Sequence, residues 1–231
     1  MEYLSNIELY FTSFVSEDEK YFTLLDDEFH HSTKVMRNKI SDKLFATNGK
    51  GKIFEGSIEE MSKDFLKSTI IKIYKYQNNL DNIAFCIPNL KNPERLKFAF
   101  EKCTELGITN FLLYKPEHSV GKNLNTERLS KITLAAMKQS LRAFLPKIEA
   151  INSVTDLVKS DSGILLFEQT ASTKLSDFKL DEDKKYIFVF GPEGGFSENE
   201  FTLLKDSTKL KLTENRLRSE TAILKAASMI T

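Results

Sequence analysis

The chain has 231 residues but only two cysteines, three histidines and nine glycines, and its 33 basic residues are balanced by 33 acidic ones. Each scarcity excludes something. Cys86 and Cys103 stand in apolar patterns and form no C-x-x-C, so they read as reduced core thiols, not as a disulfide or metal pair. His30 and His31 are neighbours on a helical stretch and so point different ways, which argues against a shared metal; surface positions or RNA contacts suit them better. No metal is expected. No apolar run approaches the roughly 20 residues of a membrane span. The opening MEYLSNIELYF has no basic region followed by an apolar segment, so no signal peptide is expected and the protein reads as cytoplasmic. There is no GxxxxGK[ST], no G-x-G-x-x-G after a strand, no G-x-S-x-G and no HExxH, which sets aside P-loop, dinucleotide, serine-hydrolase and zincin chemistry. Zero net charge gives no global argument for nucleic acid.

Locally the balance differs. From Lys34 to Lys52 six basic residues face only Asp42, and from Lys122 to Lys147 six face only Glu127. A lysine run alone is most often a solvated face. Two such runs on a neutral chain favour a polyanion partner, because phosphate contacts need local charge.

The first 76 residues read as a compact β-rich domain. Leu9–Val15 is a strand candidate, Asp26–Arg37 a short helix capped by Asp26 or Asp27, and Lys43–Thr47 with Lys52–Ser57 a hairpin turned by Asn48-Gly49. Phe65–Tyr76 is another β-prone run, and residues 77–82 (QNNLDN) form the linker. From 83 to 231 strands and helices alternate, the mark of an α/β layer structure. Strands are expected at Ile83–Ile87, Ile108–Tyr114, Gly163–Phe167, Tyr186–Phe190 and Thr208–Leu212. Helices are expected from Asn92-Pro93 to Gly107, over Thr126–Phe144, after the capping box Ser197-Glu198-Asn199-Glu200, and from Ser219.

Three turns at the C-terminal ends of candidate strands carry the chemistry: Leu166-Phe167-Glu168, the glycine-rich Gly191–Gly195, and Leu212–Arg218. In open α/β sheets ligands bind at that edge. Glycines there let backbone approach a ligand where a Cβ would clash. The loop GPEGGF brings a glutamate in place of the lysine or hydroxyl a phosphate site wants. An apolar, carbonyl-lined pocket for a heteroaromatic ring fits better, while a turn that merely packs tightly is the plain alternative.

GPEGGFSENE (Gly191–Glu200) and LTENRLRSETA (Leu212–Ala222) resemble the paired signatures of the RsmE family of SPOUT-class RNA methyltransferases. EKCTELGIT (Glu101–Thr109) and the Gln139-Ser140…Arg142…Pro146 pattern are similar too. HHSTKVMR (His30–Arg37) followed by NGKGKIFEGSI resembles that family's PUA-like RNA-binding domain. The likeness thus runs over nearly the whole chain. It departs at Thr213, where a glycine is common, at Arg216, where an aliphatic residue is common, and at Leu141, where a glycine or small residue is frequent.

The resemblance implies a C-terminal SPOUT domain, a mostly parallel sheet knotted as a trefoil from about Gly163 onward, behind a small PUA-like β-barrel. It implies a homodimer that uses S-adenosyl-L-methionine to methylate N3 of a uridine in the decoding region of 16S ribosomal RNA, within the small subunit, and releases S-adenosyl-L-homocysteine. The expected cofactor contacts are Leu166, Phe167, Glu168, Phe190, Gly191, Gly194, Gly195, Leu212, Asn215 and Leu217. Arg218 is expected to stabilise charge on the uracil carbonyls, unless it pairs with Glu220 or Glu193; those two glutamates are also the candidate proton acceptors. His30, His31, Lys34, Arg37, Gln139 and Arg142 are the expected RNA contacts. Two rival readings are a non-catalytic RNA-binding or ribosome-assembly protein and a nucleotide-phosphate enzyme using the glycine loop as an anion nest.

Overall fold

The computed structural model describes residues 4–118, 125–159 and 161–231; Lys122, counted above in the second basic stretch, lies outside them. The chain divides into two compact units, Met1–Asn78 with Met137–Leu145, and Asn79–Ala136 with Pro146–Thr231.

In the first unit the strands are β1 (Leu9–Phe11), β2 (Phe14–Val15), β3 (Tyr21–Leu25), β4 (Lys43–Thr47), β5 (Lys52–Met61) and β6 (Phe65–Lys75). They form one sheet in the order β1-β4-β5-β6-β3-β2, antiparallel except for the β1–β4 pair. Its core is Tyr10, Phe22, Leu24, Phe29, Leu44, Ala46, Phe54, Ile58 and Leu66. The single strand expected over Leu9–Val15 is broken in two. The buried Thr12 hydroxyl donates to the carbonyls of Phe14 (2.8 Å) and Thr23 (2.7 Å), and a side chain that bonds local backbone turns the chain.

The helix expected over Asp26–Arg37 is α1 (Asp26–His30) running into a π-helical turn, His31–Val35. No aspartate caps it. Leu25 holds the cap position without a side-chain bond, and Asp26 and Asp27 sit inside the first turn, where carboxylates face the positive end of the helix dipole. The Asn48–Gly51 turn joins β4 to β5 with Gly49 and Gly51 at φ 71° and 86°. That loop also grips residues 143–145: the Gly51 N–H donates to the Ala143 carbonyl and the Leu145 N–H to the Gly49 carbonyl, both at 2.9 Å.

The second unit is a seven-stranded, all-parallel sheet. Its strands are β7 (Ile83–Pro88), β8 (Asn110–Tyr114), β9 (Lys147–Ile151), β10 (Gly163–Phe167), β11 (Thr173–Lys174), β12 (Tyr186–Val189) and β13 (Thr208–Lys211), in the order β11-β13-β10-β12-β7-β8-β9. Strand alternation builds two cores. Phe85, Ile87, Leu165, Phe188 and Phe190 face α2 (Pro93–Glu105) and α5 (Ser219–Ile230), whereas Cys86, Leu166, Ile187 and Val189 pack with Val154, Leu157 and Leu204 on the other face. Near-continuous apolar strands such as IAFCIP are what a sheet covered on both faces requires.

Helix α2 starts as its sequence predicts: the Asn92 side chain accepts from Glu94 N–H at 2.9 Å with Pro93 in the first turn. Helix α4 (Glu198–Leu203) is closed by the full capping box of Ser197 and Glu200. Helix α3 (Thr126–Gln139) ends five residues before the expected Phe144. Arg142 N–H bonds the Met137 carbonyl (2.9 Å) and Leu141 N–H the Lys138 carbonyl (3.1 Å), with Leu141 at φ 56°. This is a Schellman stop, whose left-handed position favours glycine. The glycine or small residue that the resemblance leads one to expect at Leu141 suits that geometry. Leucine adopts it against its own preference.

Candidate functional site

The strand order jumps at β10: β12 lies on one side of it and β13 on the other. Crevices form at such switch points, outside the carboxyl ends of the strands. A cavity of about 600 Å³ lies there, lined from the turns after β10, β12 and β13 and by Arg95 of α2. It sits wholly within the second unit.

The three turns are tied together by named bonds. Ser219, the first residue of α5, donates its hydroxyl to the Gly191 carbonyl at 2.7 Å, joining the glycine loop to the turn after β13. The Gln169 amide donates to the Thr213 (3.2 Å) and Glu214 (2.8 Å) carbonyls and holds the same turn from the β10 side. The Tyr114 hydroxyl, buried, donates to the Phe190 carbonyl at 2.8 Å. From beneath, the buried Glu200 carboxylate accepts from the Ser197 (2.9 Å) and Glu117 (3.0 Å) N–H groups, while Glu117 accepts from the Ser197 hydroxyl and the Asn199 amide. Those last two bonds hold the Glu117 carboxyl below the usual glutamate range. A glycine loop pinned at both ends is preorganised.

Phe167 and Phe190 stack at 4.9 Å, with their planes 15° apart, and both line the cavity. Gly191 is closely packed: a Cβ there would stand 3.0 Å from the Phe196 ring, which would have to shift to admit it. Gly194 and Gly195 differ: a Cβ on either would meet nothing within 4 Å, and Gly195 has φ 80°. The loop therefore presents bare backbone to open space. Apolar rings, free backbone and a few polar side chains together suit a heteroaromatic ligand.

Of the expected cofactor residues, Phe167, Glu168, Phe190, Gly191, Gly195, Leu212 and Leu217 line the cavity. Leu166 does not, because strand alternation turns it into the opposite core, where it is fully buried. Gly194 and Asn215 are exposed and lie outside the lining. Arg218 lines the cavity, is exposed and has no carboxylate within ion-pair distance among the described residues. Glu220 is buried, does not line the cavity and meets Arg95 at 3.4 Å; its second oxygen is buried without a hydrogen-bond partner. Glu193 lines the cavity. Arg95, Gln169 and Ser219 escaped the sequence reading. Arg95 stands some 70 residues upstream, and Gln169 and Ser219 act through bonds to backbone that leave no motif.

All six expected RNA contacts fall in the first unit. His30 ends α1, His31 bonds Glu8 at 3.0 Å, and Lys34 and Arg37 are exposed. Gln139 and Arg142, about a hundred residues later, are exposed where α3 stops. The half-buried ion pair between Lys138 and Glu28 joins that segment to α1. Both cysteines are buried and unpaired, and burial pushes their thiols up. Among the described residues no cluster of histidine, cysteine, aspartate and glutamate fits a metal ion, and no helix is long and apolar enough to cross a membrane.

An all-parallel sheet with a pinned glycine loop at its switch point defines a ligand-binding α/β domain, here joined to a β-rich module on which Lys34 and Arg37 are exposed. A family model described as RNA methyltransferase domain matches residues 77–231, and one described as RNA methyltransferase PUA domain matches residues 24–71. The chain belongs to that RNA methyltransferase family. It is 27% identical to Ribosomal RNA small subunit methyltransferase E of Rickettsia conorii over 96% of this chain and 93% of that protein. The protein of the same name from Bacillus subtilis is also 27% identical, over 93% and 91%. Among solved structures, a probable rRNA-methyltransferase from Porphyromonas gingivalis is 29% identical with a TM-score of 0.83, covering 97% of each chain. A Ribosomal RNA small subunit methyltransferase E from Neisseria gonorrhoeae bound to S-adenosyl methionine shares the fold, with a TM-score of 0.85 at 23% identity and 97% coverage of both.

Proposed function

We propose that this chain transfers the methyl group of S-adenosylmethionine to N3 of a uridine in the decoding region of 16S ribosomal RNA. The observation that carries this reading is the cavity at the β10 switch point, closed by the Ser219–Gly191 bond and walled by the Phe167–Phe190 stack. Its residues fit the cofactor: bare backbone at Gly195, apolar walls at Phe167, Phe190, Leu212 and Leu217, and a carboxylate at Glu168 for a ribose hydroxyl. The names of the relatives above support small-subunit rRNA as the substrate.

When bound, the cofactor supplies an activated methyl on sulfur, so the chain's own task is positioning and electrostatics. Held by these walls, the cofactor would supply the methyl that replaces the N3 proton of uridine, with S-adenosylhomocysteine as product, and the proton would pass to a carboxylate of the chain. Arg218, with no carboxylate within ion-pair distance among the described residues, faces the charge that grows on the uracil carbonyls. For the proton, Glu193 lines the cavity while Glu220 is engaged by Arg95. The base leaves its stack to reach the cavity, and His30, His31, Lys34, Arg37, Gln139 and Arg142 hold the surrounding RNA. The family resemblance adds two features to this proposal, a trefoil knot in the C-terminal domain and a homodimer, and the sequence reading adds a cytoplasmic site of action.

Calorimetric titration with S-adenosylhomocysteine tests the cavity. One-to-one binding is expected, lost in Gly195→Val, whose side chain would enter the open space at a strained φ. Normal binding by that variant would move the site elsewhere. Nucleoside analysis of 16S rRNA after reaction tests the target atom; a methyl on any atom but uracil N3 refutes that part.

A further inference from the structure

We propose that Arg216 is a phosphate contact, placed beside the cofactor cavity to grip the RNA backbone next to the target base. This inference rests on the methyltransferase reading above and adds to it a residue at which the family commonly has an aliphatic side chain.

The argument starts from charge. The chain is neutral overall, with 33 residues of each sign, and the segment T-E-N-R-L-R-S-E places acids at both ends of its arginine pair. Read locally, those acids would cancel the arginines. The fold prevents it. Glu214 is held between Lys174 and Lys211, each at 3.0 Å. Glu220 is buried against Arg95 at 3.4 Å. Glu168, on the facing turn, accepts from the Thr170 hydroxyl at 2.6 Å and lies 3.8 Å from Lys209. Glu193 lines the same cavity but makes no ion pair with either arginine. Arg216 and Arg218 therefore both line the cavity with no carboxylate within ion-pair distance among the described residues.

Their turn is anchored. Gln169 bonds the Thr213 and Glu214 carbonyls, and Ser219 bonds Gly191, so Arg216 is held from both sides. An exposed, permanently charged planar fork on anchored backbone suits bidentate contact with a phosphate. Phosphate from RNA is favoured over the cofactor's carboxylate because Arg216 is exposed, whereas the apolar walls that would enclose the cofactor are half-buried or buried.

The test compares full-length wild type, Arg216→Ala and Arg216→Lys, using an unmodified transcript of 16S rRNA as the probe. Binding is measured over a range of salt, alongside calorimetric titration with S-adenosylhomocysteine and with 5′-methylthioadenosine, which lacks the carboxylate. A lost phosphate contact flattens the slope of log K against log salt by about one. Arg216→Ala is expected to show that loss, Arg216→Lys to recover it, and RNA affinity to fall far more than S-adenosylhomocysteine affinity. An unchanged salt slope in Arg216→Ala overturns the proposal. So does a fall of S-adenosylhomocysteine affinity to the level of 5′-methylthioadenosine with RNA binding intact, which would assign Arg216 to the cofactor's carboxylate. Failure of the wild type to bind S-adenosylhomocysteine would refute the cofactor reading alone, and the salt slopes would still decide the phosphate contact.

Discussion

Arg218 illustrates what a single residue's sequence context conceals. With Glu220 two positions on and Glu193 in the glycine loop, the sequence leaves an internal salt bridge open as the alternative to a charge-stabilising role. In the fold Glu220 turns inward to Arg95, and the Arg218 guanidinium on the cavity wall has no carboxylate within ion-pair distance among the described residues. Arg218→Ala is therefore expected to lower the single-turnover rate of methyl transfer by about two to three orders of magnitude, the usual loss for one preorganised charge-stabilising group. S-adenosylhomocysteine affinity should stay close to wild type. Loss of both together would make Arg218 a cofactor contact. Gly195 was legible from the sequence because a run of glycines announces unusual backbone. Ser219 and Gln169 were not, since a hydroxyl or amide aimed at a distant carbonyl has no local signature.

Among the elements, those with local chemistry were readable. The Asn92-Pro93 start of α2, the Ser197–Glu200 box of α4 and the Asn48-Gly49 turn follow from residues a few positions apart. Strands β2, β3, β9 and β11 were hidden or misjudged, because short or half-exposed strands owe their existence to neighbours across the sheet. The overrun of α3 has a sharper cause. Its stop lies in the left-handed backbone of Leu141, a conformation that leucine does not advertise. Replacing Leu141 by glycine or by alanine removes the same packing, but only alanine keeps the strained Cβ. Leu141→Gly is thus expected to be more stable than Leu141→Ala by about 1 kcal/mol in urea unfolding. Equal stabilities would show that the turn relaxes.

The molecule as a whole carries carboxylates spread over both units that cations or hydrogen bonds hold in the ionised form. Asp18, beside Lys20, is lowered to about 2. Glu55 is lowered by Lys43 and Tyr74, Glu117 by Ser197 and Asn199, and Glu214 by Lys211 and Lys174. A lowered folded value contributes stability above the unfolded pKa, near 4 for these groups, and that contribution disappears as pH falls through the folded value. Thermal unfolding should therefore show a midpoint that is flat from neutrality to about pH 5 and drops below about pH 4. A midpoint that rises on acidification would contradict these assignments.

The sequence by itself determined the α/β class of the C-terminal part, the β-rich N-terminal part and the glycine loop at a strand end. Alternation, capping residues and glycine act over a few positions, within reach of a linear reading. Tertiary structure alone decided the rest. It placed β12 and β13 on opposite sides of β10, returned Met137–Leu145 to the first unit beside α1, and brought Arg95 to the wall of the cavity. It also chose which glutamate neutralises which cation, leaving Arg216 and Arg218 without an ion-pair partner among the described residues. Charge pairing and strand order depend on which distant segments the burial of apolar faces forces together, and no local pattern encodes that choice.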